Sequence, residues 1–121
     1  MTMPKKRSLM SPDLRLHLKD GIAMGPGKAA LLTSIAESGS ISAAARALGT
    51  SYKRAWLLVD SMNAHFRGPL VEASKGGNER GGAVLTPLGA EVLACYRRME
   101  SKARKSIASE LDALEALLKQ Q

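Results

Sequence analysis

Aromatic side chains are nearly missing: Tyr52, Trp56, Phe66 and Tyr96 are the only four in 121 residues. A core organised around large rings is excluded, and an interior of Ala, Leu, Ile, Val and Met favours closely packed helices. Cysteine is reduced to Cys95, so neither an intramolecular disulfide nor a cysteine-built zinc cluster can form within one chain. The two histidines, His17 and His65, fall in different predicted elements, and no paired acid–base or dense metal-ligand motif accompanies either. These absences predict a protein that is not an enzyme and holds no metal or other cofactor. No uninterrupted apolar run approaches membrane-spanning length, and Lys5, Lys6 and Arg7 are not followed by the apolar stretch of a secretory leader. The expectation is a cytoplasmic protein without a membrane partner.

Acidic residues are outnumbered, 11 against 18 Lys and Arg, which leaves a formal charge of +7. That balance favours polyanionic partners, although charge alone does not separate DNA from RNA or an anionic surface. The length suits one compact domain plus an extension.

Residues 1–13 are basic and polar with two prolines and read as a flexible arm. Leu14, Leu16 and Leu18 then alternate with polar residues, the period of a half-buried strand. Gly21 breaks the run, and Ile22 to Met24 can form a short return strand. Pro26 suits the first turn of a helix whose apolar face is Leu31, Leu32, Ile35 and Ala36, ended by Ser38 and Gly39. Ser40 can cap a second, alanine-rich helix over Ile41–Leu48. Gly49 supplies a sharp turn, and Ser51 can cap a third helix running to about Phe66. Within it Trp56, Val59 and Met62 are expected on a common core-facing side.

Two helices joined by a tight glycine turn, the second opening with polar and basic residues, form a helix-turn-helix pattern. Leu70–Val71 and Ala83–Val84–Leu85 read as strands of a hairpin, with a loop rich in Gly76, Gly77, Gly81 and Gly82 between them. That loop has the character of a wing, and it lacks the spacing and terminal Lys-Ser/Thr of a nucleotide-binding loop. Thr86 and Pro87 open a final helix expected to run unbroken to Leu118. Tyr96, Met99, Ala103, Ile107, Leu111, Leu114 and Leu118 recur along it at three- and four-residue steps, a stripe that predicts a homodimer seam. The fold predicted is mainly α with a small β-hairpin: a winged helix-turn-helix over residues 14–86 and a long dimerisation helix over 87–121.

Several segments carry a resemblance. Ser38-Gly39-Ser40-Ile41-Ser42, Ala43-Ala44-Ala45 with Leu48-Gly49, Ser51-Tyr52-Lys53-Arg54-Ala55-Trp56, Met62-Asn63, and Gly81 through Thr86 with Gly89 resemble the DNA-binding domain of ModE-type molybdate-responsive regulators. The likeness to the LysR-type winged helix-turn-helix is more distant. Asp60-Ser61 departs from the pattern, beyond the residues expected in the groove. Over about residues 14–110 the resemblance implies a dimer joined by the last helix, helped by the N-terminal strands, on a partly palindromic operator. The sequence ends at Gln121 and does not extend to the oxyanion-binding module of such regulators. Direct molybdate sensing is therefore not expected of these residues, and an unidentified sensory protein is a further expected partner.

The expected DNA contacts follow from exposure and chemistry. Ser51, Tyr52, Lys53 and Arg54 open the recognition helix, with Arg54 as a guanine reader through two parallel hydrogen bonds and Lys53 as a phosphate contact. Ser40, Ser42 and Thr50 can bond backbone phosphates, while helix capping accounts for Ser40, and completing the turn for Thr50, without any DNA. Lys75 and Arg80 are expected at the wing tip, and Arg97 or Arg98 can reach DNA in some geometries. The partner expected is double-stranded DNA. Two other readings stay open: an interaction adaptor working through the last helix, and a low-specificity architectural DNA-binding protein.

Overall fold

The computed structural model describes residues 13–74 and 82–120. The chain opens with a small antiparallel ribbon, β1 (Leu16–His17) against β2 (Ala23–Met24), with Leu16 opposite Met24. Between them Asp20 and Gly21 both take left-handed backbone, at φ 61° and 74°, which an Asp–Gly pair tolerates. The strand is shorter than its leucine alternation suggests. Leu18 already lies outside it, 42% exposed, because the chain turns at Lys19.

Three helices follow: α1 (Pro26–Ser38), α2 (Ile41–Leu48) and α3 (Tyr52–His65). Their boundaries are written locally. Pro26 occupies the first turn of α1, and Gly39 ends that helix with φ 74°. The Ser40 and Ser51 hydroxyls accept the amides of Ala43 and Arg54, each at 3.0 Å, and so cap α2 and α3. Between those two helices Gly49 has φ 70°. The Gly49 amide bonds the Arg46 carbonyl at 3.2 Å and that of Thr50 bonds Ala45 at 3.0 Å, the pairing of a left-handed helix stop.

The core is built from Leu31, Leu32 and Ile35 of α1, Ile41, Ala44 and Ala45 of α2, and Ala55, Val59 and Met62 of α3. Leu70, Val71, Ala83 and Tyr96 close it. The small Ala44 and Ala45 side chains allow α2 to approach its neighbours closely.

The wing hairpin pairs β3 (Val71–Ala73) with β4 (Ala83–Leu85), Glu72 lying opposite Val84. Helix α4 (Pro87–Ser106) begins at once, capped by Thr86, whose hydroxyl accepts from Gly89 N and donates to the Pro69 carbonyl.

The expected unbroken final helix is interrupted at Ile107, where φ is −112° and ψ 12°, before α5 (Ala108–Ala116) resumes. No proline or glycine stands there. The Ala103 carbonyl still accepts Ile107 N at 3.2 Å, with the Ser106 hydroxyl 3.4 Å from the same oxygen. Leu118 lies beyond the end of α5. Among the described residues no helix is long and apolar enough to cross a membrane.

Candidate nucleic-acid interface

The first turn of α3 is open to solvent. Ser51, Tyr52, Lys53 and Arg54 are all exposed, while Ala55 directly behind them is fully buried. The helix thus packs through Ala55, Val59 and Met62, and its amino end carries a hydroxyl, a phenol and two cations outward.

Trp56 belongs to this outer surface and not to the core, contrary to the sequence expectation. It is 38% exposed and meets Tyr52 edge-on, ring centroids 6.4 Å apart. The reason is helical phase. Three-residue steps drift by about 60° each at about 100° per residue, and the buried stripe set by Ala55 leaves Trp56 on its flank. The Tyr52–Trp56 pair therefore lies on the exposed flank of α3, with Trp56 also lining a cleft beside Val71, Ala73 and Ala83 of the wing.

The base of the wing is tied to the helix-turn-helix along both hairpin edges. On the β3 edge the Asn63 side chain does what a third strand would do. Its Oδ1 accepts the amides of Leu70 at 2.8 Å and Val71 at 3.2 Å, and its Nδ2 donates to the Val71 carbonyl at 3.1 Å. On the β4 edge the Ala83 amide donates to the Gly39 carbonyl at 2.9 Å, and Ser40 bridges to Gly82. These bonds occupy backbone groups that an open two-stranded ribbon leaves unpaired. They also set the wing's angle relative to α3. The sequence singled out Asn63 only through its resemblance segment, since nothing local says where its amide points.

Ser40 and Ser42 sit at the start of α2, half-buried, and Thr50 is half-buried in the turn before α3. Besides the cap made by Ser40, the Ser42 hydroxyl accepts Arg46 Nη1 at 3.3 Å. Exposed Arg46, absent from the sequence-derived set, thereby joins this surface. Lys75 and Arg80 lie outside the described residues, as does most of the N-terminal arm. Exposed Arg97 pairs with Glu100 at 2.8 Å and donates to Thr33 Oγ1 at 2.9 Å, linking α4 to α1 at the surface.

A second feature adjoins α3. A cleft of about 180 Å³ is lined by Arg15 ahead of β1, Ala23, Gly25 and Lys28 at the amino end of α1, and Arg54 and Leu58 of α3. The side chain of Arg15 lies along Gly25, where an added Cβ would stand 3.5 Å from Nη1. Lys28 Nζ donates to the Ala23 carbonyl at 2.7 Å.

The expected dimer stripe needs one correction. Tyr96 is 1% exposed, its ring in the domain's own core, and its hydroxyl donates to the Leu14 carbonyl at 2.6 Å. The upper part of α4 packs against its own domain, which takes Tyr96 out of any seam. Burial, and secondarily the Glu100 carboxylate, raise its phenol above the usual tyrosine pKa. Below it Met99 and Leu114 are exposed, and Ala103, Ile107 and Leu111 are half-buried.

Residues 28–90 match the family described as bacterial regulatory helix-turn-helix protein, lysR family. The chain is 46% identical over 91 residues to the molybdenum-pterin-binding protein MopB of Rhodobacter capsulatus, covering 75% of this chain and 34% of that protein. It is 39% identical over 103 residues to the DNA-binding transcriptional dual regulator ModE of Escherichia coli (strain K12), covering 84% of this chain and 39% of that one. The chain therefore spans between about a third and two fifths of the length of these curated relatives. Its fold superimposes on the chain solved in the crystal structure of the CbnR_DBD–DNA complex with a TM-score of 0.58 at 25% identity, covering 73% of this chain and 95% of that one. An exposed recognition-helix start, a wing hairpin tied to it and the match across residues 28–90 agree: the chain belongs to the lysR family of bacterial regulatory helix-turn-helix proteins, and its winged helix-turn-helix is a DNA-binding domain of that transcription-regulating kind.

Proposed function

We propose that the chain binds a partly palindromic operator as a cytoplasmic homodimer, each protomer entering a major groove with α3 while the wing and the start of α2 rest on the backbone. The observation that carries this reading is the exposed run Ser51–Arg54 at the amino end of α3, in a fold shared with a domain solved on DNA. Tyr52, Lys53 and Arg54 are the side chains proposed to meet base edges or the phosphates beside them, with Ser40, Ser42, Thr50 and Ser51 as further contacts. Lys75 and Arg80 are proposed as wing-tip phosphate contacts on their chemistry alone. The homodimer seam comprises Met99, Ala103, Ile107, Leu111 and Leu114, with Leu118 beyond the end of α5; exposed Leu114 and Leu118, 62% and 63% accessible, favour a covering partner. Two such protomers would fit half-sites centred about one helical turn apart.

The relatives' printed names, molybdenum transport protein ModE among them, support target genes concerned with molybdenum. An unidentified sensory protein is a further proposed partner. Selection of the purified chain against random duplexes, paired with the solution mass of the free chain and of its complex, tests the reading. An inverted-repeat motif and a mass of two chains per duplex are expected, with Leu111→Asp abolishing the two-chain species. Equal, strongly salt-sensitive binding to every duplex would favour an architectural protein. Absence of duplex binding, with a heteromeric complex through residues 90–118, would favour an adaptor. Added molybdate should leave the affinity unchanged; a shift would place sensing in the chain itself.

A further inference from the structure

Three cations from three separate segments converge on the cleft beside α3. Arg15 comes from the chain entering β1, Lys28 from the first turn of α1 and Arg54 from the first turn of α3. Among the described residues no acidic side chain lines the cleft and neither arginine forms an ion pair. Like charges gathered without a counter-ion repel, and the arrangement is relieved by an anion held among them. Two glycines also line the cleft: the Arg15 side chain lies along Gly25, and the space over Gly27 is open, with nothing within 4 Å of an added Cβ. The amino end of α1 has no side-chain cap, so its first-turn amides add to the positive field. Arg54 ties the cleft to the surface that faces the duplex, because it belongs to the same turn as Tyr52 and Lys53.

We propose that Arg15, Lys28 and Arg54 clamp one phosphodiester of the DNA backbone beside the groove that α3 enters. Arg54 then anchors the backbone, and is not the guanine reader that its place in the sequence suggests. The β1–β2 ribbon gains a role in docking, through Arg15. This inference rests on the DNA-binding reading above.

The test uses the full chain, the duplex selected by the wild type and a scrambled duplex of equal length, with affinities measured across a KCl series. Arg15→Gln and Arg54→Gln should each weaken both duplexes by the same factor, about tenfold, leaving their ratio unchanged. The double variant should lower the slope of log affinity against log salt by about 0.9 per protomer, the loss of one phosphate contact. Arg15→Lys should retain most of the binding; loss equal to that of Arg15→Gln would mark a structural role and overturn the clamp. A loss in Arg54→Gln confined to the selected duplex would return Arg54 to base reading, and unchanged affinity in Arg15→Gln would remove the ribbon from the interface. Inorganic phosphate titrated calorimetrically into the chain without DNA should show no saturable binding. Stoichiometric binding abolished by Arg15→Gln would instead assign the cleft to a free anion. A wild type that binds no duplex would defeat the DNA-binding reading itself, a result separate from all of these.

Discussion

The Tyr96 hydroxyl donates a hydrogen bond to the Leu14 carbonyl across 2.6 Å, joining α4 to the chain that leads into the β1–β2 ribbon, 82 residues away in sequence. The ring is buried in the core, so one residue closes the domain and fixes the ribbon beside α1. On the proposed clamp, that places Arg15, the residue after Leu14, where DNA can meet it.

Tyr96→Phe should therefore cost about 1–2 kcal/mol, the loss of one hydrogen bond with its acceptor left partly shielded from water. The pH dependence has a definite sign. The folded chain holds the phenolic proton more tightly than the unfolded chain, because burial and then Glu100 raise the folded pKa. The stability this contributes is complete below the ordinary tyrosine pKa of about 10 and is lost as pH rises through the raised folded value. Urea unfolding between pH 8 and pH 11 checks this. The wild type should lose stability above about pH 10 more steeply than Tyr96→Phe, and parallel curves would contradict the assignment.

Gly89 lies against backbone. A Cβ there would stand 2.1 Å from the Leu70 carbonyl oxygen, the same oxygen that accepts Thr86 N at 2.9 Å. Neither partner is the flexible end of a side chain, so α4 and the start of β3 would have to separate. Gly89→Ala should destabilise the domain by about 3 kcal/mol or more, the upper end of overpacking costs. Thermal unfolding of the variant measures it, and a melting point within a degree or so of wild type would refute the close approach.

Asn63 makes a different kind of prediction, since its three bonds to Leu70 and Val71 hold the wing more than they fill the core. Asn63→Ala leaves two backbone donors and one acceptor unpaired, at about 2–4 kcal/mol in total. It should also weaken operator binding at temperatures where the variant is still folded, because β3 loses its anchor to α3. Hydrogen exchange at the Leu70 and Val71 amides reports the local effect directly. Protection equal to wild type would show that another contact holds the wing.

The local grammar of the fold was legible in the sequence. Ser40, Ser51 and Thr86 cap helices because a hydroxyl one residue ahead of a helix meets the amides of its first turn. Gly39 and Gly49 stop helices because the left-handed conformation suits them. What escaped depends on how elements are oriented toward one another. Tyr96 shares the stripe of α4, yet only the packing of that helix's upper half on the domain says that it points inward. Trp56 looks apolar enough for the core, but the phase set by Ala55, Val59 and Met62 turns it out. Arg15 and Lys28 are unremarkable in sequence, and only the tertiary placement of the ribbon beside α1 and α3 brings them to Arg54. The interruption at Ile107 escaped because no helix breaker marks it: neither proline nor glycine stands there.

In the proposed mode of binding, α3 reads the major groove. Inverting single base pairs within the selected half-site, A·T to T·A or G·C to C·G, tests it most directly, because inversion changes the major-groove pattern while leaving that of the minor groove nearly the same. Inversions under α3 should each weaken binding by about 1–3 kcal/mol, roughly 5- to 150-fold. Affinity unchanged by every inversion would contradict it.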